Sequence, residues 1–219
     1  LIPKNQIYTE AFFGGGEIFW RKPKSESETI NDVNHHVVNF WAQVRDNFEE
    51  LQGRIQETVY GRYNHEFSKL IYLHPQFFSA NQRAWAFWVQ TNMSFAHPIC
   101  GGFGYDKLNK VALKIENKKL NFTEPLRERL KTVCIENQDA LQTIRSRDTK
   151  DTFHYVDPPY IGACQGHYAG YTEANFHDLL DVLSKVEGKF LLSCYMTDDC
   201  KRFIKQFGWR LKTVQMCLS

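Results

Sequence analysis

The chain has 219 residues, 42% hydrophobic and 24% charged, with 27 Lys and Arg against 25 Asp and Glu, a net charge of +2. That length suits one large or two unequal domains, and the composition excludes a disordered tail, a collagenous fibre and a coiled coil. No apolar run approaches the ~18 residues of a membrane span, and so mild a charge does not by itself mark a nucleic-acid binder, so any basic surface must be local.

Residues 6–13 (QIYTEAFF) are apolar and β-prone and end on Gly14, Gly15 and Gly16. A strand entering a glycine turn is expected, then a short helix on EIFW (17–20). After a polar loop (PKSESE, 23–28), residues 29–32 (TIND) close a second strand. Asn34 is a cap for a helix whose apolar positions Val37, Phe40, Trp41, Val44, Phe48 and Leu51 recur at helical spacing. A helical stretch with Tyr63, Phe67, Leu70 and Ile71 on one face follows, then another from Ser79 to Asn92. Residues 93–112, rich in Gly, aromatic rings and Lys, read as an irregular loop or hairpin.

Further on, Thr123 and Pro125 start a helix near 123–132. Residues 133–136 make a short strand, Asp139 to Arg145 a short helix, and 152–157 (TFHYVD) a strand leading into Pro158-Pro159-Tyr160. A helix through Phe176, Leu179, Leu180, Leu183 and Val186, a strand at 189–195, a helix at 200–207 and a strand at 209–216 complete the pattern. Strands alternating with helices predict an α/β fold with a mostly parallel sheet. The helical, Gly-rich stretch 54–112 is expected to be a module inserted between 1–53 and 113–219.

Six cysteines are scattered without a CxxC pair, and eight histidines show no ligand spacing. A reduced, cytoplasmic protein without a structural metal is the expectation. The chain starts at Leu1-Ile2-Pro3 without Met or a signal-peptide pattern and stops at Met216-Cys217-Leu218-Ser219, so both ends read as cut.

Two places carry chemistry. In an open α/β sheet ligands bind beyond the carboxyl ends of strands, where glycines let the backbone come close. The turn at 12–16 (FFGGG) is neither a phosphate-binding GxxxxGK[ST] loop nor a GxGxxG fingerprint. Asp32, ending the next strand, is an acceptor suited to ribose hydroxyls. Glycine turn plus acid points to a nucleoside without a phosphate to cradle. The second place is Asp157-Pro158-Pro159-Tyr160. Two prolines stop the strand, fix a carboxylate at its end and leave a carbonyl without a ladder partner. Two acceptors beside a phenol ring suit a planar group with an exocyclic amine, although a strand-ending turn with Asp as a cap also explains the tetrapeptide.

YTEAFFGGGEIFW (8–20), NDVNHHVVNFW (31–41) and FHYVDPPY (153–160), in that order, resemble the DNA adenine methyltransferases of the Dam type. The likeness continues through RAWAFWVQTN (83–92), GGFGYDK (101–107), QGHYAGYTEANF (165–176) and KFLLSCY (189–195). The resemblance implies a Rossmann-like methyltransferase sheet with an inserted, mainly helical recognition module, and transfer of methyl from S-adenosylmethionine to the N6 amine of a flipped-out adenine in double-stranded DNA. By it Asp157, Pro158, Pro159 and Tyr160 are catalytic. Glu10, Phe12, Phe13, Gly14, Gly15, Gly16, Asp32 and Asp139 hold the cofactor. Arg83, Asn92, Lys107, Lys110, Tyr168 and Tyr171 face DNA or shape the base pocket; Asp139 reads equally as a helix cap. The chain departs from the family at Ala11, where Pro is common, in lacking a Gly-Gly-Lys element before the first strand, and in stopping short of the closing strands. A monomer without membrane or metal is implied, of bacterial or phage origin. The alternatives are an inactive DNA-binding remnant, or transfer to cytosine, RNA or a protein glutamine.

Overall fold

The structure is a computed structural model describing residues 2–95, 99–108, 110–162 and 170–214. Five strands make one parallel sheet in the order β3-β2-β1-β4-β5: β1 (Ile7–Glu10), β2 (Ser27–Asn31), β3 (Cys134–Glu136), β4 (Thr152–Val156) and β5 (Lys189–Leu192). The chain works outward from β1 to β2 and β3, then returns to lay β4 on the other side of β1. Strand order therefore reverses between β1 and β4, and such a reversal opens a crevice beyond the strands' carboxyl ends. The register pairs Glu10 with Tyr155, so the loops leaving both strands emerge side by side.

Two apolar clusters cover the sheet. Alternation along the strands sends Tyr8, Phe153 and Tyr155 into one and Val156 into the other, which Ala11, just past β1, also joins. The first cluster holds α1 (Glu17–Arg21), α2 (His35–Asp46), α3 (Phe48–Glu57), α5 (Ala80–Met93) and α7 (Glu124–Leu130), with α4 (Arg62–Leu73) and α6 (Lys110–Leu120) packed on it. The second holds α8 (Ala140–Arg147), α9 (Glu173–Leu183) and α10 (Asp198–Phe207). A 3₁₀ turn, Pro75–Phe77, joins α4 to α5. Caps set several helix starts: Asn34 accepts from the His36 N–H, and Ser79 and Gln82 form a reciprocal box at α5.

Several expectations are corrected. The first strand ends at Glu10, because residues 11–13 already turn toward β2, where Phe13 N–H bonds the Asn31 carbonyl. The single helix expected through Leu51 is two helices broken at Asn47, and α6 starts inside the stretch read as loop or hairpin and runs on through residues to which no element was assigned. Residues 93–112 do contain a hairpin contact, with Ser94 bridged to Phe103. Residues 209–214 form no strand; Trp209 instead packs its ring on Phe190, Phe203 and Phe207. The remainder of that stretch lies outside the described residues. Positions 54 and 112 both fall within or beside helices, inside α3 and α6, and α5 shares its core with the sheet.

Candidate active site

A cavity of about 390 Å³ opens at the β1/β4 reversal. Its walls are the turn after β1 (Phe12 to Ile18, with Glu10 beneath) and the segment after β4 (Asp157 to Tyr160, with Tyr155). The two motifs, more than 140 positions apart in the chain, thus face one space.

The turn is held from several sides. Gly14 and Gly16 have φ of 48° and 66°, in the left-handed region that a β-carbon disfavours. Asp32, only 1% exposed, takes the Gly14 N–H on one oxygen and the Asn34 N–H on the other, both at 2.8 Å. Its carboxylate is therefore spent on shaping the turn, and it lines neither this cavity nor the next. The indole N–H groups of Trp41 and Trp20 bond the carbonyls of Gly14 and Gly15 at 2.9 and 3.0 Å. Phe13 is buried against Phe19 and Trp41 and supports the turn from within the core.

On the opposite wall, Asp157 Oδ1 accepts the Tyr160 hydroxyl at 3.0 Å and Oδ2 the Tyr155 hydroxyl at 3.3 Å. The Tyr160 oxygen lies 2.6 Å from Ser193 Oγ. Burial raises the Asp157 carboxyl above its ordinary value, while hydrogen bonds from Tyr160, Tyr155 and Ser193 favour the anion. Among the described residues no backbone hydrogen bond reaches the Pro158 carbonyl, leaving a second acceptor beside the first. Beneath the cavity, Glu10 is 2% exposed and accepts the Tyr8 hydroxyl at 2.8 Å. Burial, reinforced by the Asp157 charge, pushes its carboxyl up to about 8 against the pull of Tyr8 and Lys22. Lys22 sits 4.2 Å over the Tyr8 ring and, with Arg129, pairs with buried Glu28.

A second cavity of about 480 Å³ adjoins the first, with Phe12 and Pro159 common to both. Phe12, Val33, Tyr72, Ala140, Leu141 and Tyr171 supply its apolar and aromatic walls, and Asn34, Asp139, Asn175 and Asp178 its polar groups. Asp139 accepts from the N–H groups of Leu141 and Gln142, so it caps α8 and also borders the cavity. Tyr171 meets Phe12 edge-on with ring centroids 6.1 Å apart. No Lys, Arg or His among the described residues lines either cavity.

Of the remaining expected residues, Arg83, Asn92, Lys107 and Lys110 line neither cavity. Arg83 is half-buried on α5 beside His36. Asn92 donates to the Trp88 carbonyl at 2.8 Å, within its own helix. Lys107 and Lys110 are exposed at the start of α6, which Asp106 caps through the N–H groups of Leu108, Lys110 and Val111. Tyr168 lies outside the described residues. Unanticipated members are Tyr155, Ser193, Trp20, Trp41 and Tyr72. Only Tyr155 left a trace in the sequence, two positions before Asp157 on one strand and hence on the same face. No group of three or more His, Cys, Asp or Glu side chains among the described residues is arranged to hold a metal ion. No helix among them is long and apolar enough to cross a membrane.

A family model described as D12 class N6 adenine-specific DNA methyltransferase matches residues 1–216. No curated protein matches the chain.

Proposed function

Because the chain belongs to the D12 class of N6 adenine-specific DNA methyltransferases, we propose that its two adjoining cavities hold S-adenosylmethionine and a flipped-out adenine of double-stranded DNA. The observation that carries this is the meeting of the glycine turn and Asp157-Pro158-Pro159-Tyr160 across one cavity with no basic side chain in its lining. A nucleotide phosphate calls for Lys or Arg, and the acids Glu17 and Asp157 beside the start of α1 disfavour one. A nucleoside whose other end is cationic asks for aromatic walls and acids, which is the lining found.

In this reading the second cavity takes the donor's adenosine, with Phe12 and Tyr171 as aromatic walls and Asp139 and Asn34 as polar partners. Asp32 shapes the ribose end through the Gly14 turn. Gly14, Gly15, Gly16 and Glu10 border the methionine end in the first cavity. When bound, the donor supplies a sulfonium methyl.

The protein's own part is positioning and charge. An adenine amine is barely basic, since its lone pair is delocalised into the ring. Asp157 and the Pro158 carbonyl accept its two N–H bonds, which favours a more tetrahedral nitrogen and aims the lone pair across the cavity. The Asp157 anion lies where positive charge develops on that nitrogen. A stacked base cannot reach this space, so the adenine must leave the duplex, and the Tyr160 ring, locked by its hydroxyl to Asp157, offers a face for it. Residues 54–112 and the exposed Lys107 and Lys110 serve as the DNA-facing module, Lys107 and Lys110 on phosphates.

Asp157→Ala tests this. Labelled methyl transfer to duplex DNA is expected to vanish, while calorimetric affinity for S-adenosylmethionine stays within a few-fold. Near-normal turnover, or label on cytosine in the unsubstituted protein, overturns the assignment; no donor binding by the unsubstituted protein supports a DNA-binding remnant instead.

A further inference from the structure

Cys194 and Cys200 sit where β5 runs into α10, with their sulfurs 3.6 Å apart. The closeness is built by the fold. Thr197 caps α10, its hydroxyl accepting the Cys200 N–H at 3.1 Å, which turns Cys200 back toward the end of β5. Cys200 is 3% exposed in the second apolar cluster, and Cys194 is half-buried at its rim. The two ends of the pair differ in reach. Cys194 is open to a small oxidant, and Cys200 waits behind it.

What makes the pair consequential is its neighbour. Ser193 precedes Cys194, bonds the Val156 carbonyl through its N–H at 2.9 Å, and holds the Tyr160 hydroxyl at 2.6 Å. Tyr195 follows, its ring centroid 4.8 Å from that of Tyr160. The segment carrying Cys194 is thus the support of Tyr160, which in turn is bonded to Asp157.

We propose that Cys194 and Cys200 are a reversible oxidation site, and that closing it into a disulfide withdraws Ser193 from Tyr160 and slows methyl transfer. This rests on the methyltransferase reading only for its consequence, not for its chemistry. The oxidant is a peroxide. Cys194 sulfur attacks the peroxide O–O bond, becomes a sulfenic acid and releases one water. Cys200 sulfur then displaces that hydroxyl as a second water, and the S–S bond forms. Two electrons pass from the thiols to the peroxide, and both thiol protons leave in the waters. The contact between the two sulfurs pushes the Cys194 thiol up and, with Thr197, holds Cys200 below its ordinary range, so the shared proton rests on Cys194. That proton passes to the peroxide's leaving oxygen in the first step, and leaves Cys200 as the thiolate for the second. Bonding requires the sulfurs to close from 3.6 Å to about 2 Å, a movement large enough to break a short hydrogen bond on the adjacent residue.

The test treats the full chain with hydrogen peroxide and maps peptides by mass spectrometry without prior reduction. The expected result is a Cys194–Cys200 linkage, two mass units lighter and reversed by dithiothreitol. It should come with a roughly tenfold loss of turnover, the scale of one lost hydrogen bond, and little change in donor affinity. Cys194→Ser and, as a second variant, Cys200→Ser should keep basal turnover and lose the peroxide response. The proposal falls if both thiols stay reduced while other cysteines react, or if the linkage forms and turnover is unchanged. The peptide map reads the thiol chemistry without any methyl transfer, so failure of the enzymatic reading is told apart from failure of this one.

Discussion

Ser193 has no chemistry to offer a methyl transfer, yet its hydroxyl is 2.6 Å from that of Tyr160 and helps keep Asp157 ionised. Burial works against that anion, so each donor around it counts. Replacing Ser193 with Ala removes one of them, and the Asp157 carboxyl should rise further. Because the proposed reaction uses Asp157 as a carboxylate, the acid limb of the pH profile of kcat is expected to move to higher pH. Turnover at neutral pH should fall roughly tenfold with the donor's KM nearly unchanged. A change confined to KM, with the pH profile unmoved, would reduce Ser193 to a packing residue. The sequence showed Asp157 plainly, because two prolines after a β-prone run leave a strand few other endings. It did not show Ser193, which lies 36 positions further on and reaches Tyr160 only because β5 pairs with β4.

The glycine turn shows the same division at the scale of an element. Three consecutive glycines after an apolar run announce a turn, and the structure gives the reason for the last of them. Gly16 lies at φ 66°, and a β-carbon there would run into the Phe13 ring. Phe13 has no room to yield, being packed edge-on against Phe19 and Trp41. Gly16→Ala should therefore cost about 1–3 kcal/mol in backbone strain, with the displaced ring adding to it. Urea unfolding should report the loss, and calorimetry a weakened donor, since this turn walls the first cavity. Stability and affinity both unchanged would show that the turn accommodates a side chain freely. The indoles of Trp20 and Trp41 that pin this turn were invisible as such in the sequence, where Trp41 served as an apolar mark of a helix face and Trp20 only ended a short helical run. Periodicity also ran across the break at Asn47, because Val44, Phe48 and Leu51 on α2 and α3 all bury into one core. In α6 the signal was too thin: Ile115 is its one fully buried apolar side chain, among four lysines. What local pattern can report is which face is apolar; what it omits is which distant group that face meets.

For the molecule as a whole, folding places two titratable groups in opposite disfavour. Burial, with His35 and Arg83 nearby, lowers the His36 imidazole to about 4. The unfolded chain then binds a proton that the folded one refuses, so this stability is complete above about 6.5 and lost as pH falls toward 4. Burial raises Glu10 to about 8. Here the folded state keeps a proton that the unfolded chain releases, so its stability is complete below about 4.5 and lost as pH rises through 8. The His36 and Glu10 slopes oppose each other between those reference values, and above them the lowered Cys200 thiol runs against Glu10. The Glu10 part is isolated by Glu10→Gln, which mimics the protonated acid: relative to the variant, the melting temperature of the unsubstituted protein is expected to decline from about pH 4.5 toward pH 8. An undiminished decline in the variant would assign it elsewhere. The same group ties stability to function. A cationic donor in the first cavity favours the Glu10 carboxylate, so binding near neutral pH should release a proton and strengthen as pH rises toward 8. Calorimetry in buffers of different ionisation heat measures that proton directly, and Glu10→Gln should abolish it. Proton release that persists in the variant would place the donor's positive charge away from the floor of this cavity.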